Sequence, residues 1–176
     1  MKPYPTEWER HDVLRDGTRV FVRPLKPDDL AYYPEFLANV AAEDLRLRFF
    51  APIRELSPAV LDGLTHLDYA RAMAFVAFDE ATGGVLGVVR LHRDPEGTGG
   101  EYAVLVRSSL KGRGLGWLLM RRVIEYARAE GLSVIHGQVL AENRTMLAMC
   151  AELGFDIADD PTETGVKIVT LDLSRA

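Results

Sequence analysis

Three glycines alternate with other residues in one short stretch, at Gly112, Gly114 and Gly116, and the cations Lys111 and Arg113 accompany them. An apolar stretch at helical spacing follows directly. Glycine lets a backbone approach a ligand without a Cβ clash, and the free N–H groups at a helix start attract anions. The pattern therefore predicts a site for a phosphate-bearing ligand, and a pyrophosphate fits it.

The spacing of the glycines distinguishes this loop from two known classes of phosphate-binding loop. A Walker-type loop ends in Gly-Lys-Ser or Gly-Lys-Thr, whereas Trp117 follows Gly116 here. The dinucleotide fingerprint is Gly-x-Gly-x-x-Gly at the start of a parallel βαβ unit, whereas this loop is Gly-x-Gly-x-Gly and follows a predicted meander. The remaining alternative is a flexible turn whose glycines serve packing, but the place of the loop between a strand and a long helix favours a ligand.

The elements around this loop indicate a mixed α/β (α+β) fold with one largely antiparallel sheet. Asp16-Gly17 predicts a hairpin turn, and 46–55 are predicted as a packed connector. Helices are predicted at 28–40, 57–64, 115–130 and 143–153, and strands at 13–15, 19–23, 73–78, 85–91, 101–106, 134–140 and 167–173. Residues 1–10 are predicted as a lead-in or linker, and 11–176 as a single domain.

Bulk properties restrict the class of protein. The chain has 176 residues, a net charge of -5 and one cysteine, Cys150. The acidic balance argues against nucleic acid as a partner, and no apolar run is long enough for a membrane span. The single cysteine and the polar N-terminus, which lacks a signal-peptide pattern, predict a cytoplasmic protein. The oligomeric state cannot be read from the sequence.

The stretch Lys111-Gly-Arg-Gly114-Leu-Gly116 resembles the acetyl-CoA signature of the GNAT N-acetyltransferases, Gln/Arg-x-x-Gly-x-Gly/Ala. Asn143 precedes Leu153-Gly154-Phe155 by ten residues and resembles the Asn before the Leu-Gly-Phe ending of that family. The order of elements fits the family over roughly residues 18–173. Two positions depart from it, because Lys111 replaces Gln or Arg and Cys150 stands where many members carry a tyrosine acid.

Four further segments are similar to the GNAT domain of bacterial protein lysine acetyltransferases of the Pat type. They are Leu47-Arg48-Phe49-Phe50, Asp68-Tyr69, Met73-Ala74-Phe75-Val76-Ala77 and Ala141-Glu142-Asn143-Arg144. In many such proteins this domain follows a large acyl-CoA synthetase-like region. The chain is therefore expected to be either a stand-alone homologue or a C-terminal domain.

The resemblance implies that acetyl-CoA is the cosubstrate and that no metal takes part. It implies a cofactor site made of Val104, Leu105, Val106, Lys111, Gly112, Arg113, Gly114, Leu115, Gly116 and Asn143. The backbone of 104–106 is the implied source of N–H donors for the oxyanion. Arg46, Arg48, Phe49 and Phe50 are candidates for the acceptor mouth, and Asp68 and Tyr69 either line it or form a capped turn.

Glu101 is the candidate general base. It is the carboxylate that begins the apolar strand leading into the glycine loop, and it matches the base of the Pat-like proteins. We expect apolar surroundings for it; the alternative is a strand-end carboxylate facing water. His11 and His66 show no metal or triad spacing, and His92 and His136 are expected to be structural or solvated. We expect Cys150 to be a buried, inert thiol.

Three functions are compatible with these features. The main hypothesis is acetylation of a lysine in a protein, possibly on an acyl-CoA synthetase. The second is acetylation of a small polyamine-like amine. The third is a non-catalytic module that senses acyl-CoA, which the combination of the glycine loop and Glu101 opposes.

Overall fold

The computed structural model describes residues 3–50 and 57–174. One sheet of eight strands runs in the order β1-β2-β3-β4-β5-β6-β8-β7. The strands are β1 (Arg10–Val13), β2 (Arg19–Pro24), β3 (Ala72–Asp79), β4 (Val85–Arg93), β5 (Gly99–Val106), β6 (Val134–Leu140), β7 (Asp156–Asp159) and β8 (Val166–Asp172). All neighbouring pairs are antiparallel except β5 and β6, which are parallel. The predicted fold class and the β3-β4-β5 meander are confirmed.

The helices within the described residues are α1 (Tyr33–Ala38), α2 (Ala42–Phe49), α3 (Pro58–Thr65), α4 (Leu115–Ala129) and α5 (Arg144–Leu153). The predicted start of α3 is confirmed, since the Ser57 side chain accepts a hydrogen bond from the Val60 amide and Pro58 follows it. Gly154, at φ 95°, ends α5 in the left-handed conformation that glycine adopts cheaply. Pro27–Tyr32, predicted as the first helical turns, forms a 3-10 helix before α1.

Each face of the sheet carries its own apolar core. One core packs α4 and α5 against the sheet and includes Leu119, Val123 and Cys150. The other packs α1 and α2 against the opposite face, around Phe36 and Leu45, with α3 at its edge. Trp8, in the segment predicted as a lead-in, packs against the first core and meets Tyr126 and Phe75 edge-on or tilted.

Two elements were not predicted from the sequence. The segment predicted as a packed connector forms α2 as far as Phe49, and its remainder from 51 onward lies outside the described residues. Only Leu45 of α2 is buried, so the helix lacks the apolar period by which helices are recognised. All four residues of β7 are exposed, so this edge strand shows no alternation either.

The seam between β5 and β6 is short. Its pairs are Gly99–Val134, Gly100–Ile135 and Glu101–His136, although both strands continue beyond them. The next residue of β5, Tyr102, places its ring against the next glycine of β6, Gly137. The strands therefore diverge where this aromatic ring enters the space between them.

Replacing Gly137 with alanine should destabilise the fold, because the new Cβ would lie 2.6 Å from Tyr102 Cε1. Overpacking of this kind costs about 1–3 kcal/mol, which chemical denaturation would measure. Gly63→Ala is the matched control, since its Cβ meets nothing within 4 Å in α3. That change should stabilise the protein by roughly 0.5–1 kcal/mol. Equal effects of both changes would contradict the tight contact at the seam.

Candidate active site

The glycine loop opens directly into α4. Gly112 and Gly114 have φ values of 80° and 90°, a region that other residues enter only with strain. The first backbone bond from the helix body is donated by the Leu118 amide to the Gly114 carbonyl. The amides of Leu115 and Gly116 therefore lie in the first turn, where no intrahelical acceptor exists. The loop thus has free amides at the place where the sequence predicts an anion site.

The two cations predicted beside this site already have partners. Lys111 Nζ donates to Asp44 Oδ1 of α2 at 2.6 Å, and Arg113 Nη1 donates to Asp16 Oδ2 at 3.0 Å. Hydrogen bonds from Thr18, followed by that from Arg113, lower the pKa of Asp16 to about 2. A bound phosphate would have to compete with these carboxylates, although exposed ion pairs contribute little free energy.

The divergence of β5 and β6 exposes strand backbone. Arg107 donates its amide to the Leu86 carbonyl of β4, and residues along a strand alternate in direction. The backbone groups of Leu105 therefore face β4, whereas those of Val104 and Val106 face the open side beyond the last β5–β6 pair. The predicted backbone donors are placed at a gap in the sheet.

A cavity of about 820 Å³ occupies this gap and reaches the glycine loop, which is within the usual size range of ligand sites. All of the predicted site residues line it except Arg113, which is exposed, and Leu115, which is fully buried in the core. Asn143 lines it while its side chain caps α5 by accepting from the Met146 amide at 3.3 Å.

Glu101 lies at the last paired position before the gap and lines the cavity. It is exposed, so the apolar surroundings expected for it are not found. Its neighbour across β4 is His92, whose pKa is lowered by burial and then by the nearby Arg90. Glu101 is thus a carboxylate that faces open cavity, next to an imidazole that stays neutral at pH 7.

Helix α2 crosses from one rim of the cavity to the other. Asp44 binds Lys111 and the Ser108 hydroxyl on the glycine-loop side. Arg46 Nη1 donates to Glu142 Oε1 at 2.9 Å, on the loop before α5. The last residues of α2 line the cavity, as does Phe50, the described non-glycine residue with positive φ, at 60°. The helix that the sequence did not predict therefore forms a wall of the site.

The remaining candidates lie away from the cavity. Cys150 is fully buried and its Sγ lies 3.2 Å from the Tyr102 hydroxyl; burial raises the pKa of this thiol. Asp68 accepts from the Ala70 amide in a turn, and Tyr69 donates to the Leu25 carbonyl. The turn interpretation of Asp68 and Tyr69 is therefore the one observed.

Arg15 and Tyr102 are among the cavity-lining residues that sequence reasoning missed. Arg15 reaches the cavity from the β1–β2 turn, with its Nε about 4.0 Å from the position of a Cβ on Gly114. Tyr102 lines it from the strand. The signal for Arg15 was a cation beside the Asp16-Gly17 turn, but nothing in the sequence places that turn next to the glycine loop.

Neither a metal cluster nor a membrane helix is found in the described parts of the chain. No group of three or more His, Cys, Asp or Glu side chains there is arranged to hold a metal ion. Among residues 3–50 and 57–174, no helix combines the length and apolar character that a bilayer span needs.

Comparison with known proteins agrees with this geometry. Residues 39–155 match the family model described as Acetyltransferase (GNAT) family. An acetyltransferase of Pseudomonas aeruginosa is 35% identical over 155 residues, covering 87% of this chain and 83% of the relative. The crystal structure of the GNAT domain of S. lividans PAT superposes with a TM-score of 0.89 at 30% identity, covering 97% of this chain and 99% of that one.

A third relative is a longer protein. The acetyltransferase Pat of Mycolicibacterium smegmatis is 30% identical over 142 residues, which cover 80% of this chain but 42% of that protein. The chain therefore spans less than half of this relative. The family match covers most of the described fold and includes both the glycine loop and Glu101, and the chain belongs to the GNAT acetyltransferase family.

Proposed function

We propose that this chain transfers an acetyl group from acetyl-CoA to the side-chain amine of a lysine in a protein, with Glu101 as general base. The observation that carries the proposal is that Glu101 and the glycine loop line one cavity. GNAT acetyltransferases use acetyl-CoA, so the cavity has to hold that cosubstrate and admit an amine beside it.

The residues present fit acetyl-CoA. The loop amides of 112–116 would hold the pyrophosphate, since a Cβ on Gly112 would meet nothing within 4 Å and the approach to the backbone is open. Val104 and Val106 offer backbone donors and acceptors to the amide-bearing arm. The cosubstrate supplies a thioester, whose carbonyl carbon is the electrophile.

Glu101 would take the proton that the amine must lose. It faces the cavity from the face of the sheet opposite to α4, because alternation sends Tyr102, Val104 and Val106 to the α4 side. The acceptor would therefore approach from the side of α2 and α3, while the cofactor lies on the side of α4. The N–H groups at the open edge of β5 would stabilise negative charge on the acyl oxygen.

The protein-lysine acceptor is supported by the similarity to the Pat proteins. An acyl-CoA synthetase with an active-site lysine is the proposed target within that class. A small polyamine-like amine is the alternative acceptor, and a non-catalytic acyl-CoA sensor is the alternative function. Cytoplasmic location remains part of the proposal.

Gly114→Val should weaken acetyl-CoA binding, because the valine side chain would both strain the loop and cover its amides. We expect at least about a tenfold loss of affinity, the size expected for losing one charge-assisted contact to an anion. Calorimetry measures this affinity. Gly131→Val is the matched control, since Gly131 also has a positive φ, 77°, and open space but lies at the far end of α4. It should lose comparable stability and keep its affinity. Unchanged binding in Gly114→Val would remove the loop from the cofactor site.

Glu101→Gln should keep cofactor affinity and lose about a hundredfold to ten-thousandfold in rate at pH 7. A lysine amine has a pKa of about 10.4, so the loss should shrink as the pH rises toward that value. Steady-state rates from pH 7 to 10 test this. Glu152→Gln, also in the cavity wall, is the matched control and should lose little.

Cys150→Ala tests whether activity depends on the thiol of Cys150 or on the carboxylate of Glu101. Because Cys150 packs in the core and does not line the cavity, this variant should retain most of its activity at pH 7. Full activity in Glu101→Gln together with an inactive, folded Cys150→Ala would reverse the assignment.

Acceptor preference tests the proposed substrate class. Acetyl transfer to a lysine of an acyl-CoA synthetase should exceed transfer to spermidine, because the acceptor side of the cavity carries guanidinium groups that repel a polycation. Mass spectrometry of the protein acceptor and thiol release with spermidine give the two rates. Faster turnover of spermidine would favour the small-amine alternative.

A further inference from the structure

Two guanidinium groups lie on the acceptor side of Glu101, and residues 3–50 and 57–174 provide no ion-pair partner for either of them. Arg48, at the end of α2, lines the main cavity, and its guanidinium rests 4.5 Å from the Phe49 ring. Within residues 3–50 and 57–174 no hydrogen bond or ion pair to Arg48 is found. Arg48 therefore lines the cavity, and no counter-ion is found for it in the part of the chain that the structure describes.

Arg90 is the second cation. It lies on β4 opposite Ala103 and diagonal to Glu101, and it is 4% exposed. Its Nη2 donates to the Tyr33 hydroxyl at 2.7 Å and to the Leu64 carbonyl at 2.6 Å. Its Nη1 is buried without a hydrogen-bond partner. A buried donor on a charged group is costly to leave unpaired, so this atom requires an explanation.

The two cations share one enclosed space. Both line a cavity of about 20 Å³ that has Phe49, Ala103 and Leu105 in common with the walls of the main cavity. That volume admits one water molecule, which could bond Nη1 but would not neutralise either charge. Burial and then the proximity of Arg90 lower the pKa of Arg48 to about 10, which leaves Arg48 charged at pH 7.

We propose that Arg48, with the charge of the buried Arg90 behind it, forms an anion subsite beside Glu101 that binds a carboxylate carried close to the acceptor amine. Glu101 alone does not balance them, because two guanidinium charges face one carboxylate and His92 is neutral at pH 7. The proposed pose places the phosphates of acetyl-CoA at the amides of 112–116 rather than at this subsite. The inference rests on the proposed transfer to an amine.

Two acceptors could supply this carboxylate. In a protein it is the side chain of an Asp or Glu next to the target lysine, and in a free amino acid it is the α-carboxylate next to the amine. A guanidinium binds either in the same bidentate manner. The subsite would disfavour a polyamine as acceptor, because its additional ammonium groups are positively charged, as the two guanidinium groups are.

Paired acceptors that differ in one charge test the subsite. Rates of acetyl transfer are measured for Lys-Asp and Lys-Asn peptides, and for L-leucine and L-leucinamide, with wild type, Arg48→Gln and Arg48→Lys. Wild type should prefer the anionic member of one pair by roughly ten- to hundredfold in kcat/KM. Arg48→Gln should abolish the preference, and Arg48→Lys should retain part of it.

The matched control is Arg15→Gln, which removes a cation from the same cavity near Gly114. It should change the KM for acetyl-CoA and leave the acceptor preference intact. If Arg48 served only to hold Glu101, Arg48→Gln would lower the rates with anionic and neutral acceptors equally, and the proposal would be overturned. A preference confined to the peptides identifies a protein acceptor, and one confined to leucine identifies a free amino acid; either supports the subsite.

A binding measurement tests the subsite independently of turnover. Sulfate is titrated into protein with 15N-labelled arginine in the presence of saturating CoA, which blocks the glycine loop. We expect a saturable shift of the Arg48 Nε–H resonance, identified by its loss in Arg48→Gln; only linear drift would overturn the subsite. Transfer to amines without any charge preference would overturn the subsite alone. Cofactor binding without transfer to any amine would instead refute the proposed function, and the sulfate result would then decide the subsite.

Discussion

The contact between Tyr102 and Gly137 is the constraint on which the site depends. Parallel strands that pair along their whole length leave no room for a ligand, and here pairing stops one residue before this contact. The ring is held from behind by Phe155, 5.7 Å away between centroids, and by the Cys150 thiol. Because the Tyr102 ring occupies the space between the strands, the strand edge of Val104 and Val106 is left open, and the cavity can pass from one face of the sheet to the other.

This passage explains why the site needs two layers of helices. The α4 layer presents backbone amides to an anion, and Arg15 is the cation near them, since Lys111 and Arg113 are engaged with Asp44 and Asp16. The α2 layer presents side chains. Helix α2 is held at both rims by exposed or partly exposed ion pairs, which are weak individually.

The sequence predicted the parts of the molecule that have a strong period or a fixed local chemistry. The meander strands are mostly apolar, and the Ser57-Pro58 and glycine-loop helix starts rest on hydrogen bonds between close neighbours in the chain. Helix α2 could not be predicted, because one buried residue, Leu45, gives no period. Arg15 and Arg90 join the site through long-range packing, which local patterns do not encode. Glu101 was found by its position, but its exposure depends on where the strands diverge.

The exposure of Glu101 bears on the proposed role of the two neighbouring guanidinium groups. Glu101 faces open cavity rather than the apolar surroundings expected from its strand. Under the proposed function, the guanidinium groups of Arg48 and Arg90 would act on the acceptor amine, which gives up the proton. A lysine ammonium that enters a field of two guanidinium groups is disfavoured relative to the free amine, so its proton is released more readily. A carboxylate on the acceptor would offset the repulsion during binding. Under the proposed function, Arg48 and Arg90 would thus help to select the acceptor and favour its reactive form.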